Sequence, residues 1–352
     1  MFKRSLRFTL LLAMAAVLGF FAVGCDQFMS SALIYLSQNP PAYDKAIAQL
    51  KEGLTVVPEN GNYYRLLAYC YFNNRQYKES RDAYADALKY LPEKNDSLIK
   101  ARDDNWEELY RGAAAHANRI AKAPADSVQF FVDKAQKALD NAVTFLADKD
   151  RNYMLQAFIY QKTGKADQAK KMYLKIVELN PKNADAYVVL GKTAFNAASY
   201  GEAAGYFTKA LEINPADTST HFLLGLCYFT ELKYSQAIDP FRKAATLDPT
   251  HRDALINWAK CLIVEDKTPQ LAIDPLEKAL QLKEDDETWY LLGLVALNKK
   301  VNDLERGLRA FKKATELKPE LRDYWIYLRD VYKTKNMKAE VKETEKKIKE
   351  LK

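Results

Sequence analysis

Few residues in this 352-residue sequence have the type and spacing that catalysis or metal binding would need. The three histidines, His116, His221 and His251, have no companion at the His-x3-His spacing that places two metal ligands on one helical face. The densest run of carboxylates, residues 284–287, could in principle serve acid–base chemistry. It lies between two apolar helical patterns, however, and we interpret it as a solvated turn.

Motifs of familiar catalytic chemistry are also missing. The sequence contains no Gly-rich phosphate-binding loop, no Gly-x-Ser-x-Gly nucleophile turn and no Cys-x2-Cys pair. Trp106, Tyr110 and His116 lie near one another within the segment 93–150 and mark the remaining place for an enzyme site. Proximity in sequence is weak support for catalysis. The sequence therefore predicts a protein that is not an enzyme, with no catalytic residue, no cofactor and no metal.

The elements that carry these residues are defined by a pattern that occurs twice between positions 183 and 249. Each residue of the second copy lies 34 positions beyond its counterpart, as His221 lies beyond Tyr187. A fixed period of that length indicates a repeat array. The first copy consists of Tyr187, Leu190, Gly191, Ala194, Tyr200, Ala203, Phe207, Ala210, Leu211 and Pro215, and the second of His221, Leu224, Gly225, Tyr228, Tyr234, Ala237, Phe241, Ala244, Ala245 and Pro249.

Each copy predicts two amphipathic helices joined by a short turn, because its apolar residues recur at helical intervals. Gly191 and Ala203 are small where the two helices must approach closely, and Phe207 supplies bulk around that contact. Ser199, followed three residues later by a glutamate, predicts a capping box at the start of the second helix. Pro215 lacks the amide that a continuing helix needs and should end it.

This pattern, a large residue followed by x2-Leu-Gly-x2-Tyr, then Ala-x3-Phe and Pro, resembles the tetratricopeptide repeat. The resemblance implies an all-α fold, a right-handed α-solenoid of stacked antiparallel helix pairs. We expect one array of about eight pairs over residues 25–352, with an irregular, lengthened repeat at 93–150. The lysine- and glutamate-rich segment 339–352 is expected to be a polar capping helix, with a basic docking arm as the alternative.

The N-terminal segment has a different character from the repeats. Lys3, Arg4 and Arg7 precede an apolar stretch at 8–21, and small residues lead to Cys25. This resembles a bacterial lipoprotein signal peptide over residues 1–24, which implies cleavage before Cys25 and a lipid, such as palmitate, on that cysteine. The expected location is the cell envelope, facing the periplasm, on an inner or outer membrane. An uncleaved membrane anchor is the alternative, although the stretch is short for a spanning helix.

The charge of the chain disfavours a nucleic-acid partner. The formal net charge is +7, and it falls to +4 when Lys3, Arg4 and Arg7 are removed with the predicted signal peptide, which contains no acid. A nucleic-acid-binding protein would carry a strong basic stripe. We therefore expect protein or peptide partners.

Three of the four cysteines, Cys70, Cys227 and Cys261, occupy the same position in their repeats. Helix axes in contact lie about 8–10 Å apart, which is too far for equivalent positions to be bridged easily. We predict that these cysteines are small buried thiols rather than a disulfide or a metal site. His221 stands where sibling repeats place Tyr187 or Trp289, which favours a packing role for it as well.

The resemblance to tetratricopeptide arrays implies that the first helix of each pair lines a concave groove that receives partners. Apart from two lysines, the matching positions are large and apolar, which favours an amphipathic helix or an extended peptide as the ligand. We predict a scaffold for other envelope proteins; a carrier or chaperone for an acyl chain or an unfolded secreted substrate is the alternative, and so is a groove that the array itself covers. The predicted groove residues are Phe158, Lys192, Phe195, Phe222, Leu226, Phe229, Ile256, Lys260 and Tyr290.

Overall fold

A computed structural model of the chain describes residues 26–351, and these residues are helical, with no strand among them. The predicted signal peptide, Cys25 and the last residue lie outside the described residues. Two short 3-10 helices, Pro92–Lys94 and Pro269–Ala272, accompany the α-helices. The α-helices are α1 (Gln27–Ser37), α2 (Tyr43–Val56), α3 (Gly61–Asn73), α4 (Tyr77–Tyr90), α5 (Asn95–Ile120), α6 (Val128–Phe145), α7 (Asp150–Lys162), α8 (Ala166–Leu179), α9 (Ala184–Asn196), α10 (Tyr200–Ile213), α11 (Thr218–Thr230), α12 (Tyr234–Leu247), α13 (Arg252–Glu265), α14 (Ile273–Leu282), α15 (Asp286–Leu297), α16 (Leu304–Leu317), α17 (Arg322–Thr334) and α18 (Lys338–Glu350).

The chain divides into two compact units, which meet in sequence between Ala169 and Lys170. The first unit contains α1 to α7, the second contains α9 to α18, and the boundary falls within α8. In each unit, consecutive helices pack against each other as hairpins, and each hairpin packs against the next along the sequence. The predicted all-α fold of helix pairs is therefore confirmed. One array over residues 25–352 stays a prediction.

The turn inside most hairpins passes through a residue in the left-handed region of backbone space. Leu232, for example, has φ 58° and lies two residues before α12 begins. Most L-residues avoid this region because Cβ approaches the following carbonyl oxygen. The tight turn thus stores some strain wherever the residue is not glycine. The residues at this position are Arg75, Gly164, Ala198, Leu232, Asn302 and Asn336.

Close approach of the paired helices is confirmed at Gly191. A Cβ atom placed on Gly191 would lie 2.5 Å from the ring of Phe207 in the second helix of the same pair. Gly225 would meet Phe241 at 2.6 Å in the next pair, so the same fit recurs one repeat later. Bare glycine backbone against a wholly buried phenylalanine therefore sets the spacing of these hairpins.

The predicted capping box at Ser199 is wrong. Ser199 does precede α10, but its side chain makes no capping hydrogen bond. Side-chain caps are found at other helices: Asn183 accepts from the amide of Ala186 at 3.0 Å, and Asp217 accepts from the amide of Thr220 at 3.3 Å. The tight turn before α10 instead satisfies the amide of Ser199 itself, which donates to the carbonyl of Ala194 at 2.9 Å, so the N-cap amide that Glu202 would accept from in a capping box is already paired.

Segment 93–150 contains the longest helix of the described chain, the 26-residue α5, and the 18-residue α6, which packs against it. Their interface includes the fully buried Ala113 and Leu139. A buried polar network then ties α5 to α7: Trp106 Nε1 donates to Asn152 Oδ1 at 3.0 Å, and Asn152 Nδ2 donates to the carbonyl of Leu146 at 2.6 Å. Asn152 has no exposed surface.

Candidate functional site

The predicted groove residues on α11 form a single ridge on the second unit. Phe222, Leu226 and Phe229 follow the i, i+4, i+7 spacing that places side chains on one helical face. All three are half-buried and pack around the same small cluster. The ring of Phe241 lies 5.6 Å from that of Phe222 and 6.3 Å from that of Phe229. We call these three residues of α11 the aromatic ridge.

Further contacts hold each ring of the aromatic ridge from a second side. Phe222 packs against His251, with ring centroids 4.6 Å apart, and Phe229 meets Tyr234 edge-on at 5.3 Å. Both rings are thus held from two directions while keeping part of their surface exposed. The ridge is a preorganised apolar surface, in which little rotamer freedom remains to be lost on binding.

Phe195 and Tyr290 are also half-buried but belong to other packing clusters. Phe195 lies edge-on to Tyr200 at 5.1 Å, and Tyr290 stacks on Tyr324 at 4.9 Å. Burial raises the pKa of Tyr290, and a hydrogen bond with Tyr327 raises it further, so the phenol stays protonated at neutral pH. Phe195 has the repeat position of Phe229, and Tyr290 has that of Phe222, but neither belongs to the packing cluster of the ridge.

The prediction that Ile256 lines the groove is corrected, because this residue offers almost no surface to a partner. Its side chain is only 9% exposed and lies in a packing cluster that includes Phe222. Ile256 therefore lies in the packed interior that holds Phe222 in place. The two lysines differ as well: Lys260 donates to Glu287 at 2.7 Å, joining α13 to α15, whereas Lys192 on α9 is exposed.

Phe158, the remaining predicted residue, belongs to the first unit, whereas the other eight belong to the second. It is half-buried in α7, and Lys162 Nζ lies 5.5 Å from the centre of its ring. The structure thus brings together three of the nine predicted groove residues in one ridge, with Ile256 beneath it.

A second candidate surface, which the sequence did not reveal, is a cleft between α10 and α12. It has a volume of about 520 Å³, within the range of small-ligand sites. Its floor is apolar and its rim carries acids and bases. The signal in the sequence was Pro240, a buried proline inside α12 that removes one helical hydrogen bond at the cleft. The lining residues are Thr208, Leu211, Glu212, Pro215, His221, Leu224, Asp239, Pro240, Arg242, Lys243, Thr246 and Leu247.

His221 lines this cleft but is held as a packing residue. It is 6% exposed, and its Nε2 lies 3.0 Å from the carbonyl oxygen of Pro215. Within residues 26–351 its Nδ1 has no hydrogen-bond partner. Tyr64 and Trp325 make the same hydrogen bond, each to the carbonyl oxygen of the proline six residues earlier. The bond is therefore a feature of the repeat and not of a catalytic arrangement.

The charges at the rim of the cleft compensate one another. Desolvation raises the pKa of the Asp239 carboxyl, but hydrogen bonds from Lys243 and Arg242 outweigh it and leave that pKa lowered. Lys243 Nζ lies 3.0 Å and Arg242 2.5 Å from the Asp239 oxygens. The group is a surface ion cluster, ionised at neutral pH, and offers no proton donor or acceptor poised for catalysis.

The prediction of buried thiols is confirmed. Cys70, Cys227 and Cys261 are free, and none of them has exposed surface. Burial raises the pKa of each thiol to about 12, so none carries appreciable thiolate at neutral pH.

Metal coordination and membrane crossing each require a recognisable arrangement of residues. Across residues 26–351, no three or more His, Cys, Asp or Glu side chains are grouped so that they could hold a metal ion. In the same part of the chain, no helix combines the length and the apolar character that crossing a membrane requires.

The fold and these surfaces together define a helical repeat protein with partly exposed apolar surfaces. A family model described as tetratricopeptide repeat matches residues 42–96 and 155–218. A second model, described as anaphase-promoting complex, cyclosome, subunit 3, matches residues 196–279. The chain therefore contains tetratricopeptide repeats, as the resemblance in its sequence implied, in stretches from both units.

Several solved structures are similar to parts of the chain. YrrB, described as a tetratricopeptide-repeat protein with an unusual peptide-binding site, is 24% identical, covering 51% of this chain and 92% of its own, with a TM-score of 0.46. MamA from Desulfovibrio magneticus RS-1 is 26% identical over 48% of this chain and 94% of its own, with a TM-score of 0.42. PilF of Pseudomonas aeruginosa is 17% identical over 65% and 99%, also with a TM-score of 0.42. A search of curated proteins gave no significant match.

Proposed function

We propose that this protein is a lipid-anchored, non-catalytic scaffold of the bacterial cell envelope, which binds other envelope proteins or peptides on its second unit. The aromatic ridge is the observation that carries this proposal. Phe222 and Phe229 combine partial exposure with contacts to Phe241 that hold both rings in place. Binding energy at protein interfaces is concentrated in such rigid, partly desolvated anchors.

The ridge also indicates what kind of partner fits. An i, i+4, i+7 row of Phe222, Leu226 and Phe229 is matched by an amphipathic helix or an extended peptide that presents large apolar side chains. On α9, one repeat earlier, the middle residue of the same row is the exposed Lys192. A partner with an acidic residue beside its apolar anchors would satisfy both features.

The lipid anchor is proposed from the N-terminal sequence. Lys3, Arg4 and Arg7, the apolar stretch 8–21 and the small residues before Cys25 support cleavage after residue 24 and lipid attachment to Cys25. Such an anchor would place the repeats in the periplasm, on the surface of an inner or outer membrane. Fractionation of the envelope would identify which membrane carries the protein.

The binding proposal is tested by crosslinking intact envelopes and purifying the full-length protein with its partners. In the variant Phe222→Asp with Phe229→Asp, two charges replace the half-buried rings. Loss of one aromatic anchor costs about 2 kcal/mol, which corresponds to roughly thirtyfold weaker binding. We therefore expect the partners recovered with wild type to be lost from the double variant.

The matched control is Leu282→Asp with Leu317→Asp, which changes two residues that are each 44% exposed and lie outside the ridge. This control should retain the partners. Circular dichroism and thermal melting establish that both double variants are folded. A folded ridge variant that recovers the same partners as wild type would show that binding occurs elsewhere. Recovery of bound lipid in place of protein would favour a carrier.

A further inference from the structure

The residue that follows Cys25 is part of the fold. The Asp26 carboxylate caps α1 by accepting from the amide of Met29 at 3.0 Å. It also accepts a hydrogen bond from the phenol of Tyr63, a residue of α3 that is only 2% exposed. Asp26 is therefore fixed to two helices of the first unit, and α1 begins at the very next residue.

This attachment leaves no room for a flexible tether. Many anchored domains are separated from their membrane by a linker, whose length sets how freely the domain can move. Here a lipid on Cys25 would be one residue away from a side chain that is held by Met29 and Tyr63. The part of the first unit around Asp26 must then lie at the membrane surface.

Packing around Gly53 shows which residues share that end of the unit. A Cβ atom on Gly53 would lie 2.4 Å from the ring of Tyr63 and 3.0 Å from Cβ of Phe28. The last turn of α2 therefore lies beside the first turn of α1. Val56 and Val57, which follow Gly53 by about one turn, extend from the same end and are 67% and 48% exposed.

Two tyrosines and a lysine continue this surface. Tyr64 donates to the carbonyl of Pro58 at 3.1 Å and stacks on Tyr90, with ring centroids 5.6 Å apart. The ammonium group of Lys89 lies 4.6 Å from the centre of the Tyr90 ring. Aliphatic residues with tyrosine and lysine at their border are typical of protein surfaces at the membrane–water interface. The exposed Glu59 lies in the same loop and can remain in water.

We infer that Val56, Val57, Tyr64, Lys89 and Tyr90 form a membrane-contacting surface, with the valines in the headgroup region and the tyrosines and lysine at its edge. This inference rests on the proposed lipid anchor at Cys25. The occupant of the surface is the lipid bilayer that holds the anchor. The first unit would then sit on the membrane in one orientation.

The test uses the full-length lipidated protein in vesicles of phosphatidylethanolamine and phosphatidylglycerol. One nitroxide label is placed at Val56→Cys and, in a separate sample, at Leu317→Cys. Both residues are exposed and lie two positions before a proline that follows a second helix. The buried, protonated thiols of Cys70, Cys227 and Cys261 should not compete for the label. Electron paramagnetic resonance then measures collisions with a water-soluble nickel chelate and with oxygen.

We expect the label at position 56 to collide with the chelate several-fold less often than the label at 317, and more often with oxygen. Equal accessibility of the two labels, whether high or low, would overturn the inference. Mass spectrometry of the same samples reports the lipid on Cys25. If the protein is lipidated and the two labels are equally accessible, the membrane-contacting surface is contradicted but the lipid anchor is not. If the protein carries no lipid, both proposals are contradicted.

Discussion

The hairpin of α11 and α12 and the hairpin of α5 and α6 solve the same packing problem differently. In the first, Gly225 allows the ring of Phe241 to approach the backbone, so that the two helices fit together closely. In the second, alanine and leucine contacts run along two lengthened helices, and the polar network of Trp106 and Asn152 fixes them to α7. The regular repeat depends on a close fit of shapes, whereas the irregular repeat combines apolar packing within its hairpin with hydrogen bonds to the next helix. Each should therefore fail under a different kind of substitution.

The largest effect is expected when volume is added to the regular hairpin. Gly225→Val would force a branched side chain into Phe241, so we expect a loss of about 3 kcal/mol in the free energy of unfolding, measured by urea denaturation. The control is Gly205→Ala, where a Cβ atom meets nothing within 4 Å, and it should gain about 0.5 kcal/mol.

A second substitution that makes room for the added side chain tests the same prediction further. At the equivalent positions of α13 and α14, the chain carries Ala259 and Leu276, both with no exposed surface. Gly225→Ala with Phe241→Leu copies that pair and should be more stable than Gly225→Ala alone. If the double variant were the less stable of the two, shape complementarity would not explain the hairpin.

An intermediate effect is expected when the polar network of the irregular repeat is broken. Asn152→Leu removes the partners of the Trp106 indole and the Leu146 carbonyl while preserving bulk. Leaving such buried groups unpaired costs about 2 kcal/mol. Asn118→Leu changes an exposed asparagine of α5 and should be close to neutral in the same urea experiment. Equal stability of the two variants would show that packing alone holds this repeat.

The smallest effect concerns the turns. Leu232 has φ 58° in the regular hairpin, whereas the turn at residues 121–127, all of them described, contains no residue with positive φ. Leu232→Gly should therefore gain about 0.5 kcal/mol by relieving strain. Lys122→Gly should lose about as much, because glycine only adds freedom to the unfolded chain. Changes of the same sign in both variants would contradict this difference between the turns.

Local features of this fold were predictable from the sequence, and features that join distant residues were not. The period of 34 residues defined the hairpins, and the small residue at Gly191 correctly indicated a close helix contact. Equivalent positions also identified the buried thiols. The bond between Trp106 and Asn152 joins residues 46 positions apart in a stretch where the period fails, so no pattern pointed to it.

The two local errors have physical causes as well. Ser199 has the sequence of a capping box, but the turn before α10 already pairs the Ser199 amide with the carbonyl of Ala194. Ile256 shares its helix position with the half-buried Phe222 and Tyr290, yet it is covered by its neighbours. The position of a residue within a repeat predicts the direction of its side chain, but not what the next repeat places over it.

Because the thiols are buried, their oxidation depends on how long the chain stays unfolded. In the folded state, Cys70, Cys227 and Cys261 have no exposed surface and hold their protons, so oxidants and disulfides find no thiolate to react with. An unfolded chain exposes all three. Oxidation of these thiols therefore requires the chain to be unfolded, so rapid folding is what protects them.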